Sequence, residues 1–314
     1  MPPDDWHLSD DPDAFLVRAG GFLRSRPALH TIPLTVLDAL RSRGPHLYGD
    51  GAPLFGTLRD GADGIRAAFV HTPPFPLHLT ELGPEGTEAL AIRLADAGHP
   101  LTGVSGERGT AAALAASWRR RTGTTARLTQ RRRLYRLAEP SAPPPRPAGR
   151  ARVAGRGDRD LLTRWYDEFK DAVGQSAGQG AGPWADARIA RGGLTLWETP
   201  DGTPVSMAGA TPETAGQVRV APVYTPAHLR GHGYAGAVTA EVGRAALAAG
   251  VAHVLLFTDL VLRPERFTGS RRPARHLAAL SHHPSTSSTR AMLRLAMHRT
   301  GRRELSGKPF RSQH

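Results

Sequence analysis

The chain's 314 residues suffice for two domains with separate cores. An apolar content of 39% and a mean hydropathy of −0.35 fit a globular protein, expected in the cytoplasm, without a membrane span. The absence of cysteine excludes disulfides, thiolate metal sites and a cysteine nucleophile, and the scattered histidines lack zinc spacing, so no metal is expected. A formal net charge of +13 invites a nucleic-acid reading, yet residues 261–314 hold twelve Lys/Arg against two acids and carry most of it.

The opening "MPPDDWHLSDDPD" is acidic and polar, the wrong start for a secretory signal. "DPDAFLVRAGGFLRSR" predicts a capped helix, and "TIPLTVLDALRSR" a second with 3.6-residue apolar spacing. "APLFGTLRD" and "GIRAAFVHT" predict strands around the hairpin signal "DGADG", and "FPLHLTEL" predicts a third. A helix over 84–97, a short strand near Leu101–Val104, a helix over 107–121 and a strand over 125–137 follow. The Pro-rich "EPSAPPPRPAGR" can continue neither a helix nor a central strand and reads as a linker.

Beyond it the order recurs. "ARVAG" predicts a strand, Asp158 caps a helix running from Arg159 to about Val173, and a Gly/Gln loop leads to a helix over 183–191. "LTLWE" and "PVSMAGA" predict strands flanking the turn "TPDG", and "QVRVAPVYT" a third. "YAGAVTAEVGRAALAAG" predicts an amphipathic helix, and "AHVLLFTD" a buried strand. The expected class is α/β with a mixed sheet, built as a tandem duplication. Its units are residues 1–138 and 151–260, joined by the linker 139–150 and followed by a basic tail over 261–314.

"YTPAHLRGHGYAG", residues 224–236, carries two overlapping phosphate-binding patterns. Gly231, Gly233 and Gly236 match the glycine spacing of dinucleotide folds, and Asp259 stands 23 residues on, near the place of a ribose-binding acid. Against this, the six residues "TPAHLR" separate the strand's apolar run from Gly231, and a hairpin meander lies upstream where a dinucleotide fold would begin. The alternative is R-x-x-G-x-A at Arg230, Gly233 and Ala235. There small residues let amides approach a diphosphate at a helix N-terminus, with Arg230 adding a full charge. A helix entry that uses glycine only for tight packing is the bland reading of the same letters.

With "VYTP" before the loop and "FTDL" after the helix, the stretch from Arg219 to Leu260 resembles the central motif of the GNAT superfamily of acetyl-CoA-dependent N-acetyltransferases. More narrowly the chain is similar to two-domain actinobacterial members whose N-terminal copy is degenerate, over roughly residues 11–260. The resemblance implies tandem acyl-CoA N-acyltransferase domains acting on an amine, a small molecule or a peptide. Val223, Tyr224 and Thr225 would line the pantetheine arm, and Leu229, Arg230, Gly231, His232, Gly233, Tyr234 and Ala235 would hold the pyrophosphate. An amide near Val223 would polarise the thioester carbonyl. Among carboxylates, Asp259 is the best-placed candidate base and Glu198 the second, with a water chain as the alternative. The first unit reads "LGPEG" at the corresponding loop and is expected to shape the acceptor cleft or the domain interface without binding CoA. A catalytically inert acyl-CoA-binding protein is the competing reading, and the acceptor and oligomeric state are not legible.

After "FTDL" the family pattern would continue with a Ser-Asn segment, a helix carrying the tyrosine that commonly acts as general acid, and a Gly-Tyr entry to closing strands. No tyrosine follows Tyr234 here, and the tail shows no strand-like alternation. Its Arg, Ser, His and Pro suggest an out-of-frame end beginning just after Leu260. The other reading is a native basic appendage, with "TRAMLRLAMHRTGRR" as an amphipathic helix that binds nucleic acid or an acidic surface. An out-of-frame origin predicts that another frame of the downstream DNA encodes the missing Ser-Asn, Tyr and Gly-Tyr signals; two frames without them would dismiss it.

Overall fold

The computed structural model describes residues 6–60, 64–137, 145–174 and 180–259, and the backbone of 290–298. In the first half, β1 (Trp6–Ser9) precedes α1 (Pro12–Ser25), whose entry is set by Asp11 accepting the amides of Asp13 and Ala14 with Pro12 in the first turn. There follow α2 (Thr31–Arg43), β2 (Leu54–Asp60), β3 (Gly64–His71) and β4 (Leu77–Leu79). Next come α3 (Pro84–Asp96), β5 (Gly103–Glu107), α4 (Arg108–Thr122) and β6 (Thr125–Arg136). Glu107 caps α4 by accepting the amides of Gly109 and Thr110.

The second half repeats that order with β7 (Arg150–Val153), α5 (Arg159–Ala172), α6 (Ala181–Ala190) and β8 (Leu194–Glu198). β9 (Pro204–Ala210), β10 (Gln217–Tyr224), α7 (Tyr234–Ala248) and β11 (His253–Asp259) complete it. Asp158 precedes α5, but its carboxylate caps no α5 amide. It accepts the Gly155 amide at 2.8 Å and two bonds from Arg152, closing a 3-10 turn instead.

All strands join one sheet in the order β1-β2-β3-β4-β5-β12-β6-β11-β10-β9-β8-β7, where β12 is Arg290–His298. The middle of that order is an exchange. β6, from the first half, pairs antiparallel with β11 of the second, while β12, from the C-terminal region, pairs antiparallel with β5 of the first. β6 and β12 run side by side between them. Residues 290–298 thus form a strand, where the basic-appendage reading expects a helix. The rest of 261–289 and 299–314 lies outside the described residues.

Period-two alternation splits the core into layers. On β3, Ala67 and Phe69 pack under α3 and α4, while Ala68 and Val70 pack under α1 and α2. In the second half Val218 and Val220 lie under α7, whereas Met207 and Tyr224 lie under α5 and α6. The sequence reading omits β1, whose polar letters conceal Trp6. That ring is buried at 2% exposure against Phe69 and donates its indole N–H to the Gly86 carbonyl.

Two histidines of the first half are buried in neutral form. Burial lowers His71 to about 4, helped by the charge of His99, whose ring nitrogen lies 2.6 Å away. Burial, with the charges of Arg132, His30 and Arg219, lowers His78 to about 3. Both folded values lie below the unfolded one near 6.5, so their stability contribution is complete above pH 6.5 and declines as pH falls toward 3–4. Urea unfolding should therefore show stability falling between pH 7 and 5. A His78→Gln variant should lose about 2 kcal/mol less over that interval than the wild type, at about 1.4 kcal/mol per pH unit.

Candidate functional site

β10 and β11 pair in parallel only over Gln217–Val220 against His253–Leu256. Beyond that point the two strands follow different neighbours. Phe257 to Asp259 continue along β6 opposite Leu134 to Arg132, while β10 continues along β9, with Val223 opposite Ala208 and Tyr224 opposite Met207. A bulge between Val220 and Val223 bends β10 away, and Pro222 within it brings no N–H to any ladder. Arg188 of α6 holds the bulge by donating to the carbonyls of Ala210 at 2.7 Å and Ala221 at 3.3 Å. Burial, and then the charge of Arg191, lower Arg188 to about 9, so it remains a cation at neutral pH.

The edge of Ala221–Tyr224 facing β11 has no strand partner among the described residues. Past it, Ala227–Leu229 form a 3-10 turn, and Gly231 and Gly233 take φ of +87° and +82°, values that L side chains rarely adopt. α7 begins at Tyr234 with no side-chain cap. Among the described residues no backbone bond engages the amides of Gly231 to Gly236. The result is an exposed helix N-terminus with free donors, the arrangement that suits an anion. Arg230 turns back, its Nε donating to the Thr225 carbonyl at 3.0 Å, and His232 stacks on Tyr234. The end of the linker borders this loop: Pro147 lies 3.6 Å from where a Cβ on Gly233 would sit, and Arg146 pairs with Glu241 of α7 at 2.6 Å.

The candidate carboxylates separate in space. Asp259 sits on the diverging end of β11, exposed, and accepts Gln130 Nε2 at 2.8 Å. Glu198 is buried two strands away from β10, where its carboxylate accepts Arg152 Nε at 2.5 Å and lies 3.6 Å from Arg150. A third carboxylate escapes the sequence reading. Glu168 of α5 accepts the hydroxyl of Tyr224 at 2.5 Å, at the unpaired end of β10. Burial and then this bond push Tyr224 up to about 12, so it keeps its proton and donates. Nothing local signals the pair, since 56 residues separate its members and Glu168 is one of four acids on α5.

In the first half β4 and β5 pair only over Leu77–Leu79 and Val104–Gly106. A cavity of about 430 Å³ opens beside them, lined by His30, His78, Thr80, Glu81 and Glu107 among others. The turn into α3 differs from its counterpart. Pro84 and Glu85 occupy the first turn, replacing an amide donor and adding a negative charge where an anion would lie. A Cβ on Gly86 would approach Leu82 at 2.8 Å and Arg66 at 3.0 Å, so this entry is also crowded.

Known structures resemble the whole chain. A GCN5-related N-acetyltransferase from Sphaerobacter thermophilus aligns over 96% of this chain and 98% of its own, with 18% identity and a TM-score of 0.54. A GNAT-family acetyltransferase from Colwellia psychrerythraea covers 93% and 99%, at 10% identity and 0.51. The chain has a tandem GNAT fold. A Drosophila protein is similar over 94% and 98%, at 11% identity and a TM-score of 0.57. Protein-family models and the sequences of curated proteins give no match. Among the described residues, only the second half combines the parted strands with an open glycine turn, no group of three metal-ligating side chains forms, and no helix is long and apolar enough to cross a membrane.

A glutamate at Gly233 would place negative charge against the free amides and force an L side chain into the left-handed region. By calorimetry, acetyl-CoA should bind the wild type and NAD should not. Gly233→Glu, checked for an intact fold by circular dichroism, should weaken acetyl-CoA by at least about a hundredfold, the loss of a charge-assisted cradle.

Proposed function

We propose that the protein is an acetyl-CoA-dependent N-acetyltransferase of the cytoplasm, with its second half binding the cofactor and its first half shaping the acceptor side. The observation that carries this reading is the joint presence, on one strand–turn–helix unit, of an unpaired β10 edge and unpaired amides at the start of α7. An extended pantetheine arm suits the first because it is itself a chain of amides that can complete a ladder. A diphosphate suits the second because helix dipole and N–H groups converge there.

Acetyl-CoA would supply an activated acyl group, which an amine takes up as an amide while the thiol departs with a proton. The protein's own part is positional and electrostatic. Val223 offers the first main-chain N–H after Pro222, and it is assigned the oxyanion. The amine must lose a proton on attack, and Glu168 is assigned as base, aligned by the Tyr224 hydroxyl that it accepts. Tyr224 is retained as the proton donor for the departing thiolate, a role the family gives to a tyrosine in the region that is altered here. Glu198 is left out because its charge is already matched by Arg152 and Arg150. Asp259 stands across the opening as the second candidate base.

The assignment is tested by following CoA release over a panel of primary amines. Glu168→Gln should lower kcat/KM by about a hundredfold or more, within the range for loss of a general base. Asp259→Asn should change it by less than about threefold; the reverse ranking would transfer the role to Asp259.

A further inference from the structure

Arg219 lies on the face of β10 opposite Val218 and Val220, where it meets α2 of the first half. One amino group of its guanidinium reaches the hydroxyls of Thr31 and Thr35 at 3.4 and 3.3 Å, beyond the best hydrogen-bond range. Its Nε and second amino group have no partner among the described residues. Thr31 donates to Gln217 Oε1 at 2.8 Å, which leaves Gln217 Nε2 without a partner on a side chain with 0% exposure. Gln217 Nε2 is therefore a buried donor without an acceptor, and the neighbouring Arg219, partly exposed, has N–H groups with no protein acceptor among the described residues.

The surroundings add cations, and Asp38 of α2, which acts on Tyr48 as Arg43 and Arg219 do, forms an ion pair with none of them among the described residues. Arg188 of α6 and Arg191 just beyond its end both donate to the Ala210 carbonyl, and Arg43 at the end of α2 is close enough to lower both. Burial is the main cause that lowers Arg219 to about 10, with Tyr48 opposing it and Arg132 adding to it. Among the described residues no ion pair engages Arg43, Arg188, Arg191 or Arg219. Converging arginines without carboxylates are costly for a fold unless an anion visits them. The cluster also reaches the proposed acyl site, because Arg188 bonds the carbonyl of Ala221 at the bulge.

Resting on the acetyltransferase reading, we propose that Arg219 binds a carboxylate or phosphate of the acceptor, which is an amine carrying an anionic group at a distance. Val223 lies four positions beyond Arg219 on the strand, so the nitrogen and the anion should lie roughly 10 Å apart at about 3.3 Å of rise per residue and allowing for the bulge. A tripeptide has that span between its amine and its carboxylate. The first half then contributes to recognition through Thr31 and Thr35, which fix Arg219 and Gln217 from across the boundary.

Two measurements decide it. Thermal unfolding in inorganic phosphate, against chloride at matched ionic strength, should give a saturable rise in Tm for the wild type. Arg219→Gln should weaken the apparent phosphate affinity at least tenfold, and Arg219→Lys should restore part of it. A rise that persists unchanged in Arg219→Gln, or no rise in the wild type, overturns the site. If Arg219→Gln fails to fold, Thr35→Val replaces it and should weaken phosphate severalfold, since it frees the guanidinium from its anchor. In parallel, CoA release is compared for triglycine and triglycinamide. Preference for the free carboxylate by at least tenfold, lost in Arg219→Gln, supports the acceptor class, and equal rates for the two overturn it. If neither peptide releases CoA, a tripeptide-like acceptor is rejected and the phosphate shift alone judges the anion site. Absence of acetyl-CoA binding by calorimetry would count against the acetyltransferase reading and leave the phosphate result to stand or fall separately.

Discussion

The parting of β10 from β11 is the constraint around which the second half is organised. Four residues of parallel ladder hold the strands together, and then each turns to a different neighbour: β11 to β6, β10 to β9. A gap inside a sheet leaves main-chain donors and acceptors without partners, which a fold tolerates only where something else engages them. The bulge, the missing N–H of Pro222 and the Arg188 bonds to the carbonyls of Ala210 and Ala221 keep the gap from closing. The glycine turn then delivers the chain to α7 with its first amides free. Cofactor binding as proposed depends on these two sets of unpaired groups, at Ala221–Tyr224 and Gly231–Gly236, lying on one strand–turn–helix unit.

The exchange of β6 and β12 makes the opening a property of the whole chain. β11 could not diverge from β10 without another strand to hold it, and that strand comes from the first half. The first half receives β12 against β5 in return. Two copies of one fold are thereby merged into a continuous sheet, and one copy buttresses the edge that the other opens. The copies have diverged where chemistry would matter. The first has Pro84, Glu85 and a crowded Gly86 at its helix entry, where the second has Gly231, Gly233 and free amides.

Charge is distributed in keeping with that division. The buried or half-buried carboxylates of the second half outside the opening are matched: Glu198 and Asp158 share Arg152, which holds Asp158 below the usual carboxylate range. Glu241 is likewise shared, by Arg146 and Arg244. The arginines along the α2–α6–β10 boundary have no such partners among the described residues, and the hydroxyls and carbonyls they meet are neutral. Neutral acceptors satisfy hydrogen-bond geometry without cancelling charge, which is why this boundary, and not the tail alone, deserves to be read electrostatically.

The sequence by itself determined the local elements and their recurrence. Apolar periodicity located the helices from Asp11 onward and the strands of both hairpins, because period and capping are written in neighbouring residues. It also located the glycine turn at Arg230–Ala235, since φ above zero calls for glycine. It missed β1, whose single buried indole has no alternation around it, and for Arg290–His298 it offered a helix only within the basic-appendage reading, because a strand between two strands needs no polar face. Only the tertiary structure decided which strands β6 and β12 join, that Glu198 is neutralised by Arg152, that Glu168 meets Tyr224 across 56 residues, and that Arg219 faces Thr31 and Thr35. Those facts depend on distances between segments far apart in the chain, and no local pattern of residues encodes a distance.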